Sequence, residues 1–380
     1  MTTTTTTHPA PAHGSAPETA RDTVHETARD GLAERILESL LGAMELLSVE
    51  IGLRVGAYRA LRDHGPATPP DLARRAGIEL RYAREWLEQQ ATAGIVAVDH
   101  DADDPDDRRF ALPSGHAEVL LDPESPAALA GAGSQLLGLA SAVDAVVEAY
   151  RTGGGVPFAD YGGDLRHGIG AMNRPAYVHE VDGWLAAIAD VHPAIGAARR
   201  VIDVGCGVGW STVALARALP HAEVAGIDLD PASIDEAVVN AAGTEVSDRV
   251  RFAVGDGAHL TVDGRRADLV ALCEVLHDSA HPVELLRRAR EATDPDGVVM
   301  VIDERAAEEF GAIGDPVERL LYAYSVTHCL PATMAEDPSH ATGTVIRPAT
   351  VAAYALDAGF GTCREIPIEN PLWRCYLLSG

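Results

Sequence analysis

The stretch VIDVGCGVGW, Val201 to Trp210, carries the reading of this chain. Val201 to Val204 has the apolar character of a buried strand, and it runs into glycines at 205, 207 and 209. A dinucleotide-binding turn needs G-x-G-x-x-G or a final Ala, because the third small residue lets the helix approach the strand beside a pyrophosphate. Gly205 and Gly207 satisfy the first two positions, but the third is Trp210. What stands here instead is Asp203-x-Gly205-x-Gly207-x-Gly209, a turn whose backbone can lie flat against a ligand, with a helix expected from about Ser211.

Downstream, short apolar runs alternate with helical patterns, which predicts a parallel sheet covered on both faces. The expected strands are Val201–Val204, Glu223–Ile227, Val250–Val254, Asp268–Leu272 and Val298–Ile302. The chain closes with GTCREIPI and WRCYLLS, joined through Glu369-Asn370-Pro371. That connection is too short for a crossover, so the last pair is antiparallel. Asp228 ends the second strand, where a carboxylate can accept both hydroxyls of a ribose, and Asp256 follows the third, where one can accept an exocyclic adenine amine. Two acids without a basic phosphate clamp suit a nucleoside that carries a positive charge.

Upstream the rhythm is helical. Residues 1–30, with six consecutive threonines, read as a disordered tail. From Gly31, Ile36, Leu37, Leu40, Leu41, Met44, Leu47 and Ile51 recur at three- and four-residue spacing and form one wide apolar face. Three further helices and two strand-like pieces, Ile95–Val98 and Arg109–Leu112, complete a winged helix-turn-helix over residues 31–125. Its wing carries six aspartates between Asp99 and Asp107. A DNA reader needs phosphate partners there, so dimerisation or pocket capping is the preferred role. Residues 126–198 read as a helical linker and pocket-capping region, interrupted by RTGGGVPFADYGGD, and residues 199–380 as the ligand-binding α/β domain.

Composition narrows the chemistry. The 380 residues carry 57 acidic against 30 basic side chains, a formal charge of −27, which repels nucleic acid and anionic lipid. Every basic residue is Arg; the chain has no lysine, which excludes a Walker-A site, a pyridoxal Schiff base and a lysine nucleophile. Five scattered cysteines without a C-x-x-C pair indicate neither a disulfide framework nor a zinc knuckle, and no metal is expected. The absence of a long apolar run and of a signal-peptide pattern leads to the expectation of a cytoplasmic enzyme without a membrane partner.

The ordered series VIDVGCGVG, GIDLD, VGDGA, LVALCEVLHD, DPDGVVMVIDE and DAGF resembles the class I S-adenosylmethionine-dependent methyltransferases. The N-terminal part is similar to the dimerisation domain of the small-molecule O-methyltransferases. The resemblance implies a Rossmann-like seven-stranded sheet with its last pair antiparallel, an N-terminal winged-helix domain and a homodimer formed through it. It implies S-adenosyl-L-methionine as cofactor and S-adenosyl-L-homocysteine as product. Asp203, Gly205, Gly207 and Gly209 would serve the methionine moiety, Asp228 with Leu229 the ribose, and Asp256, Gly257 and Ala258 the adenine. Cys273 and Glu274 would lie beside the sulfonium, and Tyr161 is the aromatic residue expected to touch the cofactor.

Methyl transfer is an in-line displacement in which the protein positions the nucleophile and removes a proton from a hydroxyl acceptor. The resemblance assigns the base to His277, in CEVLHDSAHP, and the carboxylate that orients it to Glu304. Ser279 stands where the family has Trp, and a structural or substrate-orienting histidine remains the other reading. Asp278 could instead cap the next helix. Met172, Asn173, Tyr324, His328, Cys329 and Met334 are candidates to line the acceptor pocket, with His328 a rival base. The expected reaction passes methyl to a small organic acceptor, a hydroxyl of a secondary metabolite in the first instance. The alternatives are a cofactor-binding enzyme of this fold that transfers no methyl, and a winged-helix regulator.

Overall fold

The computed structural model describes residues 18–255, 265–336 and 339–380, without side-chain detail for 18–25. Asp256, Gly257 and Ala258, expected at the adenine, lie outside the described residues, as do residues 1–17. The chain divides into two compact units, Met1–Leu47 and Ser48–Gly380. Helix α1 runs Glu18–Arg54, so helix begins well before Gly31, inside the stretch expected to be tail. Ile36, Leu37, Leu40, Leu41 and Met44 of its apolar face are exposed.

The winged helix-turn-helix forms as its local signals require. Helices α2 (Ala57–His64), α3 (Pro69–Ala76) and α4 (Leu80–Thr92) are followed by β1 (Ala97–His100), β2 (Arg109–Ala111) and α5 (Ser114–Leu121). Thr68 caps α3 by accepting from the Asp71 N–H at 3.3 Å, and Gly77 ends it in the left-handed region. Tyr58, Leu61, Leu72, Trp86, Leu87 and Phe110 close a small core. Three of the six wing aspartates are paired with arginines: Asp99 with Arg109 at 2.9 Å, Asp101 with Arg108 at 2.7 Å and Asp106 with Arg84 at 2.5 Å.

Helices α6 (Gly131–Ser141), α7 (Val143–Thr152) and α8 (Gly162–Ala189) lead to the sheet. Its elements are β3 (Arg200–Val204), α9 (Trp210–Ala218), β4 (Glu223–Asp228), α10 (Pro231–Ala242), β5 (Val250–Val254), β6 (Ala267–Cys273), α11 (Pro282–Ala292) and β7 (Thr293–Glu304). Helices α12 (Pro316–Tyr324), α13 (Leu330–Thr333) and α14 (Pro348–Asp357) precede β8 (Thr362–Ile366) and β9 (Trp373–Ser379). The seven strands lie in the order β5-β4-β3-β6-β7-β9-β8, parallel through β7 and antiparallel in the last two pairings. The Rossmann-like sheet with a terminal antiparallel pair is therefore as expected. One face packs on Trp184, Leu185, Ile188, Val213 and Leu215 of α8 and α9, the other on Leu286, Ala289, Val351 and Ala355 of α11 and α14. Strand order reverses at β3, so the crevice beyond the carboxyl ends of β3 and β6 is where such a sheet takes a ligand. Among the described residues no helix is long and apolar enough to cross a membrane.

Candidate active site

The glycine turn closes tightly over β4. The N–H groups of Gly205 and Cys206 both donate to the Ile227 carbonyl, at 2.7 and 3.1 Å. Gly205, Gly207 and Gly209 have φ of +67°, +51° and +88°. A Cβ on Gly205 would stand 2.4 Å from Val275, and one on Gly209 would stand 2.9 Å from both Ala237 and Phe252. Both positions thus exclude a side chain twice, by backbone conformation and by space. Gly207 has open space beyond it.

Two carboxylates hold this turn. Asp203 is fully buried, and its Oδ2 accepts from the Ser211 and Thr212 hydroxyls at 2.6 Å each, tying β3 to the first turn of α9. Its Oδ1 is buried without a partner, and burial pushes its pKa up to about 6 against the help of the two hydroxyls. Asp228 accepts from Gly207 N–H at 2.8 Å and from Asp230 N–H at 2.9 Å, one bond to each oxygen. Burial raises its pKa, and a lone pair remains on each oxygen. Leu229 beside it is exposed.

A small cavity of about 90 Å³ opens at this point. Gly205, Gly207, Asn173, Cys273 and Glu274, all expected at a ligand, stand in its wall. Phe158, Arg166, Tyr177 and Trp210 stand there too and were not expected. Arg166 donates to Asp230 Oδ2 at 2.6 Å, both side chains being largely buried, so the guanidinium is already neutralised. The two are far apart in sequence, and no local pattern announces the pair. Arg174 lies 3.7 Å over the Trp210 ring.

Tyr161 takes a different place from the expected one. Its ring is buried edge-on against His328, its hydroxyl donates to Thr327 O at 3.0 Å, and Phe158 meets the cavity instead. Met172 packs near Gly131, while the Tyr324 hydroxyl donates to Gln135 at 2.5 Å. Met334 is half-buried, its backbone close to Gly155. His328 and Cys329 sit in a π-turn, Ser325–Cys329, directly after α12.

His277 follows β6 and is buried; Leu276 beside it packs in the core on the α11 side of the sheet. Its Nδ1 is 2.7 Å from Asp303 Oδ1, and its backbone N–H donates to Asp303 Oδ2 at 3.2 Å. The expected orienting residue was Glu304, and the correction follows from strand alternation. Val299 and Val301 face the α11 side and carry Asp303 with them, whereas Met300 and Ile302 face the α8 side and carry Glu304. There Glu304 is buried beside Glu274, a residue held at φ +61°. Burial pushes Glu304 up to about 8, with Asp303 and Asp278 adding to the rise against the pull of His277. Burial also opposes a charged His277, but Asp278 and Asp303 outweigh it and hold the imidazole well above its ordinary pKa. Asp278 Oδ1 lies 3.3 Å from His277 Nε2. Helix α11 has no side-chain cap, so the capping role considered for Asp278 is not the one it takes.

Comparison with known proteins agrees with the fold. A family described as a methyltransferase domain matches residues 195–343, and an Rv2258c-like winged HTH domain matches residues 42–121. The chain is 34% identical over 102 residues to a ubiquinone biosynthesis O-methyltransferase of Azorhizobium caulinodans, covering 27% of this chain and 39% of that protein. It is 26% identical over 281 residues to the mitomycin biosynthesis 6-O-methyltransferase of Streptomyces lavendulae, covering 71% of this chain and 77% of that one. The first curated relatives are matched over only 39% to 56% of their length. The structure of human N-acetylserotonin methyltransferase in complex with SAM shares the fold, with a TM-score of 0.67 and 18% identity over 91% of this chain and 97% of that one. Residues 42–121 therefore belong to the winged helix-turn-helix family and residues 195–343 to the methyltransferase-domain family, joined in one chain.

Proposed function

We propose that this protein is an S-adenosylmethionine-dependent methyltransferase acting on a hydroxyl of a small organic acceptor. The carrying observation is the charge balance around the glycine turn. Asp203 and Asp228 flank it, Glu274 stands in the cavity wall, and the one arginine in that wall is neutralised by Asp230. Such a site favours a cationic ligand over a diphosphate. The residues present fit the cofactor: the free lone pairs of Asp228 suit ribose hydroxyls, and the open side of Gly207 lets a ligand lie on backbone. When bound, the cofactor supplies an activated methyl carbon. The chain's own work is to hold the acceptor behind that carbon, exclude water and take the hydroxyl proton. His277 is the side chain prepared for the last task, because Asp303 fixes Nδ1 and leaves Nε2 to exchange a proton.

One observation favours a second reading, an enzyme that binds the cofactor without transferring methyl. His277 is 3% exposed and is not in the cavity wall, where Cys273 and Glu274 stand. Incubation with methyl-labelled cofactor separates the two, since the second reading yields product without label and without S-adenosylhomocysteine. The wing, with three of its six aspartates left without an arginine partner among the described residues, gives no support to the regulator reading. Calorimetry tests the shared premise. Both S-adenosylmethionine and S-adenosylhomocysteine are expected to bind, and Asp228→Ala should cost about 1.5 to 3 kcal/mol through loss of a charged hydrogen-bond acceptor. Equal affinity in that variant would remove the ribose assignment.

A further inference from the structure

We propose that His277, Asp278 and Cys329 form a binding site for a divalent transition-metal ion, with zinc the best match to the donor set. Two segments supply it, the turn after β6 and the π-turn after α12. One ligand atom from each residue lies within 4.8 Å of the others. His277 Nε2 and Asp278 Oδ1 are 3.3 Å apart. Tetrahedral zinc with N and O bonds of about 2.0 to 2.1 Å sets neighbouring donors about 3.3 Å apart, so this pair already stands at a coordination edge.

Three further features separate the cluster from a chance meeting of polar groups. Nδ1 of His277 is held by Asp303 at 2.7 Å, the outer carboxylate that orients metal-binding histidines. Asp278 Oδ1 is shielded from solvent and makes no hydrogen bond, although 34% of the side chain is exposed. His328, adjacent to Cys329, has Nδ1 3.5 Å from Cys329 Sγ and a buried Nε2 without a partner. Mixed nitrogen, oxygen and sulfur donors select zinc or cobalt over calcium or magnesium. Three protein donors leave a fourth position for water or an acceptor.

The ion binds Cys329 as thiolate, and the thiol proton passes to solvent. By taking Nε2 it occupies the nitrogen a general base would use, so metal-bound and base-competent protein exclude one another. The site does not rest on the methyltransferase reading, and its failure would leave the calorimetric result above untouched. The test is titration of chelator-treated protein with cobalt(II). One equivalent should bind with a thiolate-to-cobalt charge-transfer band in the near ultraviolet, displaced by zinc. Cys329→Ser should abolish the band, and Asp303→Asn should lower affinity about 10- to 100-fold. Asp278→Asn, a change at a partly exposed residue, should weaken binding tenfold or more and keeps the test open if the cysteine variant does not fold. No stoichiometric binding by the wild type, a band that survives Cys329→Ser, or unchanged affinity in Asp278→Asn would overturn the proposal.

Discussion

The imidazole of His277 lies between two carboxylates, with Asp303 on Nδ1 and Asp278 beside Nε2. Both favour the charged ring and outweigh the opposing effect of burial. A base of this kind holds its proton more tightly than an ordinary imidazole, and it must lose that proton before it can accept one from a hydroxyl. In chelator-treated protein, kcat/KM should therefore rise with pH along a limb placed above the ordinary histidine range of about 6.5. Asp278→Asn removes one of the two carboxylates and should move that limb to lower pH. His277→Ala should leave cofactor affinity intact and lower turnover about 10²- to 10⁴-fold. A pH–rate profile that does not move in Asp278→Asn, or turnover unchanged in His277→Ala, would take the base role from this residue. The chain order CEVLHD placed His277 at the ligand edge, yet nothing local distinguishes Asp303 from Glu304 as its partner.

At the scale of the element, the turn between β3 and α9 combines left-handed backbone with close packing. Gly209 combines φ +88° with a Cβ position 2.9 Å from Ala237 and Phe252, whereas Gly207 combines φ +51° with open space. Gly207→Ala should cost about 1 to 2 kcal/mol for the left-handed conformation alone. Gly209→Ala adds overpacking of about 1 to 3 kcal/mol. Urea denaturation of the two variants checks the ranking; equal losses would mean that α10 and β5 yield to the added methyl. The strands were legible because apolar runs bounded by turn residues are local signals. The π-turn Ser325–Cys329 was not, since the widened turn that buries His328 and Cys329 follows from packing.

For the whole molecule, the exposed apolar face of α1 carries the main expectation. Ile36, Leu37, Leu40, Leu41 and Met44 are each more than half exposed, an apolar stripe larger than isolated surface residues make. We propose that a second copy of the chain covers it. Light scattering should report a dimer at micromolar concentration, and Ile36→Glu combined with Leu40→Glu should give a folded monomer. A wild type that is monomeric throughout would retire the dimer. With a formal charge of −27, such a dimer would be salt-sensitive, stronger where self-repulsion is screened.

The sequence by itself determined the polarity of the sheet, its antiparallel ending, the winged helix and the glycine turn, because strand period, caps and connection length act over a few residues. Only the tertiary structure decided that Asp303 rather than Glu304 reaches His277, that Phe158 rather than Tyr161 meets the cavity, and that Arg166 is cancelled by Asp230. Neighbours on a strand face opposite layers, and which layer holds the partner depends on segments distant in the chain. Local chemistry therefore names the residue types at a site, and long-range register chooses among them.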